Sequence, residues 1–89
     1  MARLEMMEVA GGASASTQMS GEMLVNLGLM HSVGAGLPAD LVSAHMWFNI
    51  AAVRGHHEAI RLRQEIAADM SAFEIASAQR AARDWLATH

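Results

Sequence analysis

Length, composition and charge narrow the possible classes of this chain before any motif is considered. Its 89 residues suffice for one small domain. The hydrophobic content of 53% indicates a folded chain, and much of this content is alanine, which favours helices. Aromatic residues make up only 4% of the chain, so large core side chains are few. A formal net charge of −3 argues against a nucleic-acid partner, and the absence of cysteine excludes disulfides and thiolate zinc sites. We therefore expect an all-α protein.

The apolar stretches of the chain are short. None approaches the ~20 residues needed to span a bilayer, and Glu5 and Glu8 interrupt any signal-peptide core near the amino terminus. We therefore expect no membrane partner and a cytoplasmic location.

Residues 1–19 are predicted to form an amino-terminal tail and linker. Residues 2–10 have the composition of about two helical turns, and the following run of Gly, Ala, Ser and Thr is typical of a linker. Two interpretations stay open. The tail is functionless, or its four large apolar residues dock on an open helix face, in this molecule or in a second copy: Leu4, Met6, Met7 and Val9.

A single helical domain is predicted over residues 20–89, beginning with a helix that ends near Ser32. Ser20 is a suitable N-cap, and Glu22 in the first turn complements the helix dipole. Apolar residues lie on two sides of this helix, so we expect neighbours on both. Gly28 in its middle costs about 1 kcal/mol of helix propensity, which predicts close approach of another helix.

A turn over residues 33–39 leads into a second helix over residues 41–54. Gly34 and Gly36 suit positive φ, Pro38 prevents helix continuation, and Asp40 caps the next helix. This second helix also has two apolar sides, so we expect neighbouring helices on both. One side comprises Leu41, Ala44, Trp47, Phe48, Ala51 and Ala52, and the opposite side comprises Val42, Met46, Ile50 and Val53.

Two more helices are predicted towards the carboxyl terminus. Gly55 ends the second helix, and an amphipathic helix follows from about residue 57 to residue 70. Ser71 and Glu74 then form a capping box that begins a last helix ending near Thr88.

The centre of the chain carries a recognisable motif. Its matching positions are Leu27-Gly28, Gly34-Ala35-Gly36, Asp40, Ala44, Trp47-Phe48, Ala51-Ala52 and Gly55. This order resembles one Sel1-like repeat, a relative of the tetratricopeptide repeat, over residues 23–58, with Met23 and His31 standing where alanine and tyrosine are usual. The resemblance implies a helical hairpin followed by a carboxyl-terminal capping pair, and a role as a protein-binding adaptor.

The motif is not repeated after residue 58. Ala59 would open a second repeat, but Arg63 and Gln64 stand where Leu-Gly is expected. Repeat units usually need about three copies to bury their faces. We therefore expect exposed apolar surface and a homodimer or a complex with another protein.

The second helix supplies the candidate partner-binding residues. They are Val42, Met46, Ile50 and Val53, with His45 and Asn49 as a polar rim. Methionine suits such a surface because its thioether repacks around different partners. The competing interpretation is that these residues are ordinary core. Trp47 and Phe48 are assigned to the core between the first two helices.

Catalytic and metal-binding functions have weaker signals. The 5 histidines are scattered, and His56 and His57 point about 100° apart on a helix, which suits one ion poorly. No serine stands beside a base in a recognisable catalytic pattern. We expect no enzyme activity and no cofactor. A structural homo-oligomer is the first alternative to an adaptor, and a small enzyme or metal-binding protein built on the histidines is the second.

Overall fold

The computed structural model describes residues 19–36 and 39–89, which form four helices and, within those ranges, no strand. The prediction of an all-α protein is confirmed. The helices are α1 (Gly21–Val33), α2 (Leu41–Val53), α3 (Glu58–Ala67) and α4 (Ala72–Thr88). Residues 1–18, which contain the predicted tail helix and most of the predicted linker, lie outside the described residues, as does Pro38. Met19 packs against the core, so the folded part includes this residue of the predicted linker.

The helix ends follow from local side-chain chemistry. The Ser20 hydroxyl accepts the backbone N–H of Met23 at 3.2 Å, and the Asp40 carboxylate accepts those of Val42 and Ser43. The capping box of Ser71 with the glutamate three residues later is present in both directions. After α1 the chain turns through Gly34, whose φ of 73° favours glycine. The predicted caps of α1, α2 and α4 are therefore confirmed.

Helices α1 and α2 pack side by side in opposite directions. A Cβ on Gly21, at the start of α1, would lie 2.9 Å from the Cβ of His56, just beyond α2. At the other end the backbone N–H of Asp40 donates to the His31 carbonyl at 2.9 Å. Midway, a Cβ on Gly28 would lie 2.6 Å from Cδ1 of Phe48. The predicted close approach at Gly28 is confirmed, and its neighbour is the Phe48 ring.

Helix α2 is the centre of the fold. Helices α1, α3 and α4 all pack against it, and the main contacts of α3 and α4 are with α2 rather than with each other. The two helices of the expected carboxyl-terminal capping pair are present, and each of them packs mainly on α2. The core is lined by Leu24, Val25, Ala44, Phe48, Ile50, Ala51, Ala59 and Ala82. None of the helices in the described part of the chain is long and apolar enough to cross a membrane.

Candidate interaction surface

The predicted partner-binding residues of α2 do not share one open surface. Ile50 is 0% exposed and His45 is 3% exposed, so both lie inside the domain. Val42 and Met46 are half-buried, and Met46 packs against the core. Val53, the last residue of α2, is 64% exposed. The second apolar side of α2 is thus largely covered by the chain's own helices.

The predicted polar rim is a contact between α2 and α3. The Arg63 guanidinium donates to Oδ1 of Asn49 at 2.6 Å, and both residues are half-buried. His45 lies one turn before Asn49, and its Nδ1 is buried without a hydrogen-bond partner among residues 19–36 and 39–89. Burial lowers the pKa of His45, and the positive charge of Arg63 lowers it further. The neutral imidazole is therefore the form that suits this site.

The two tryptophans connect α2 to α4. Trp47 meets Trp85 edge-on, with ring centroids 5.7 Å apart at 76°. The Arg54 guanidinium lies 5.4 Å from the centroid of Trp85, and the His89 ring stacks on Trp85 at 4.0 Å. Phe48 is in the core between α1 and α2 as predicted, whereas Trp47 packs towards α4. These aromatic and cationic contacts fix the end of α4 on α2.

The open apolar surface lies on α1. Seven large hydrophobic residues are exposed among those the structure describes, and four of them belong to this 13-residue helix. They are Met23 (52% exposed), Leu29 (40%), Met30 (38%) and Val33 (72%). Residues three, four and seven apart lie on one side of a helix, so these four side chains surround the exposed Asn26. We call these five residues the α1 strip.

The opposite side of α1 faces the core. Leu24 is 0% and Val25 is 6% exposed, and Gly28 is buried against α2. The wheel projection identified two apolar sides of α1 but assigned a neighbour to each of them. Within the described residues only one side has a neighbour. The signal for the open side was the spacing of Met23 and Met30 around Asn26.

The other three exposed large apolar residues lie one on each of the remaining helices, with Val53 at the end of α2. Ile60 is 37% exposed on α3, and Phe73 is 77% exposed at the start of α4. Single exposed apolar side chains are common on protein surfaces and need no functional explanation. A cluster on one helix is less common, and this distinguishes the α1 strip.

The polar residues of α3 are arranged as a solvated surface. Arg61 pairs with Glu58 and Glu65 on the exposed side of the helix. His57 is exposed next to α3, and His56 is half-buried against the start of α1. In the part of the chain that the structure describes, no three metal-ligating side chains are grouped.

Comparisons with known proteins gave no match: no family model, no curated protein and no solved structure matches this chain. The resemblance to a Sel1-like repeat therefore depends on the motif residues alone.

Proposed function

We propose that this chain is a small, non-catalytic protein–protein interaction module of the Sel1-like helical type, and that it binds its partner through the α1 strip. The observation that carries the proposal is the contrast in exposure between the two sides of α1. One side is buried against α2, and the other presents Met23, Leu29, Met30 and Val33 to solvent. Apolar clusters of this kind are typical of protein-binding surfaces.

The chemistry of the strip supports binding. Two of its members are methionines, whose flexible side chains adapt to the shape of a partner. The motif residues Gly28 and Phe48 lie where α1 meets α2, and the motif residues Ala44 and Ala51 are buried in the core. In the proposal these residues hold the scaffold, and the outer side of α1 performs the function.

The proposal assigns the partner-binding site to α1 instead of α2. Of the residues first assigned to it, Val53 keeps a largely exposed side chain, while Ile50 is buried. A charged residue at Ile50 would unfold the domain and would say nothing about a partner. The test therefore requires two residues that are similarly exposed and occupy equivalent positions in their helices.

Val33 and Val53 provide that pair. Each is the last residue of a 13-residue helix, and they are 72% and 64% exposed. The immobilised full-length chain and its V33E and V53E variants are incubated with lysate of the source organism, and the retained proteins are identified by mass spectrometry. We expect V33E to lose specific proteins that the unchanged chain and V53E retain.

Circular dichroism checks whether both variants remain helical, as we expect for substitutions of exposed residues at helix ends. Equal retention by all three proteins would contradict the proposal, because the strip would then not contribute to binding. If V53E alone lost the specifically retained proteins, the partner-binding site would lie on α2 instead.

A further inference from the structure

We propose that Met23 and Met30 form an oxidation site that controls the α1 strip: hydrogen peroxide converts their thioethers to sulfoxides, and the strip then loses its affinity for a protein partner. The inference rests on the proposed function of the strip and specifies how that function is regulated. The exposure of the two side chains, the chemistry of their sulfur atoms and their positions within the strip support it.

The two methionines of the strip are more exposed than the others in the described part of the chain. Met23 is 52% exposed and Met30 is 38% exposed. Met19 and Met46 are partly buried and pack against the core, and Met70 is half-buried. Because an oxidant must reach the sulfur atom, Met23 and Met30 react before these three residues.

The reaction needs only the thioether and the peroxide. The chain contains no cysteine, so its 8 methionines carry all of its sulfur. A lone pair of the sulfur attacks one peroxide oxygen, the O–O bond breaks, and an S–O bond forms. The sulfur is oxidised by two electrons, and the proton of the transferred oxygen passes to the departing hydroxide, which leaves as water. Methionine sulfoxide reductases restore the thioether, so the modification is reversible.

Oxidation of these two residues changes the surface and leaves the core intact. They lie on the side of α1 that faces solvent, whereas Leu24 and Val25 of the same helix face the core. A sulfoxide oxygen on the exposed side is hydrated in the free protein. The same oxygen on Met46 would introduce a polar group among side chains that pack against the core. The strip therefore responds before the fold is damaged.

The positions of the two sulfurs divide the strip into parts that both become polar. Met23 and Met30 are seven residues apart on one side of the helix, about 10 Å along its axis, with Asn26 between them. Cε of Met30 reaches the turn after α1, since a Cβ on Gly36 would lie 3.6 Å from it. An apolar partner would have to bury both sulfoxide oxygens, and each oxygen buried without a donor weakens binding by about tenfold.

The first experiment treats the full-length protein with hydrogen peroxide and follows each methionine by peptide mass spectrometry. We expect Met23 and Met30 to be oxidised at least about fivefold faster than Met46, because access limits the reaction. Circular dichroism should be unchanged at the stage when both residues are sulfoxides. Oxidation of Met23 and Met30 no faster than that of Met46, or loss of helix at that stage, would overturn the inference.

Two double variants connect oxidation to binding. M23L/M30L removes both sulfur atoms of the strip but keeps apolar side chains of similar volume, and M46L/M70L removes two sulfur atoms elsewhere. The lysate capture described above is repeated with untreated and peroxide-treated proteins. We expect peroxide to lower the specific retention by at least about tenfold for the unchanged chain and for M46L/M70L. M23L/M30L should retain its partners after the same treatment, and reductase treatment should restore retention by the unchanged chain.

Retention that is insensitive to peroxide in the unchanged chain would overturn the inference. Equal sensitivity in M23L/M30L would also overturn it, because the responsible sulfur atoms would then lie elsewhere in the chain. If V33E loses the retained proteins in either case, the interaction module stands and only its regulation by oxidation fails. If the unchanged chain retains no specific protein, or if neither V33E nor oxidation alters retention, both fail.

Discussion

Helices α1 and α2 have the same length and a similar two-sided apolar pattern, yet within the part of the chain that the structure describes only α2 is covered on both sides. Phe48 on one side of α2 is 1% exposed and Ile50 on the other is 0% exposed. On α1, Leu24 is 0% exposed, whereas Val33 is 72% exposed. The difference arises because α3 and α4 fold back onto α2. A helix with two apolar sides needs two neighbours, and α1 has one within the described residues.

The largest expected effect tests the difference in burial directly. F48A removes a ring from the core and should lower the free energy of unfolding by about 3–5 kcal/mol. M30A on the exposed side of α1 should change it by less than about 0.5 kcal/mol. Urea unfolding followed by circular dichroism measures both. A comparable loss for M30A would mean that the outer side of α1 is part of the folded core.

A smaller effect is expected where α1 touches α2. G28A gains about 1 kcal/mol of helix propensity but forces a Cβ against Phe48, and overpacking costs about 1–3 kcal/mol when the surroundings cannot relax. A Cβ at this position would lie 2.6 Å from Cδ1 of the ring. We expect net destabilisation by thermal and urea unfolding.

N26A is the control on the outer side of α1, where the added helix propensity meets no neighbour. It should be neutral or slightly stabilising in dilute solution. A stabilising G28A would show that the ring moves freely and that the two helices are not closely packed.

These residues also show what was predictable from sequence. The caps at Ser20, Asp40 and Ser71 and the glycine at position 28 were identified correctly because each reflects short-range chemistry or a steric demand within one helix pair. The exposed surface was not predicted. A wheel projection marks Ile50 and Met30 equally as apolar, and the positions of α3 and α4 determine which of them is covered.

The same limitation applies to the polar residues. His45 and Asn49 were predicted to form a rim because they lie between two apolar sides of α2. The structure places Arg63 of α3 against Asn49 and encloses His45. Arg63 gave no sequence signal for this contact, since it is separated from Asn49 by 14 residues and by a turn.

The smallest expected effect is a loss of folding stability on acidification, which is absent at neutral pH. Burial lowers the pKa of His45 below its ordinary value of 6.5, so the folded protein binds this proton less readily than the unfolded chain. Stability is therefore unaffected above this value and decreases as the pH falls below it. H45L has no imidazole at this position, so this pH-dependent decrease in stability is absent from the variant. Melting temperatures between pH 7.5 and 5 should fall more steeply for the unchanged chain than for H45L.

Equal slopes would show that protonated His45 is accommodated in the folded state. Such a result would place the residue in contact with solvent and would weaken the contrast between the covered α2 and the open α1.

The most direct test of the account is the two-dimensional methyl NMR spectrum of the full-length protein recorded with and without a soluble paramagnetic agent, which broadens the signals of solvent-exposed side chains. The account predicts broadened methyl signals for Met23, Met30 and Val33 and an unchanged signal for Ile50. Protection of the three α1 side chains, or equal broadening of Ile50, would contradict the conclusion that the exposed apolar surface lies on α1 and that α2 is covered.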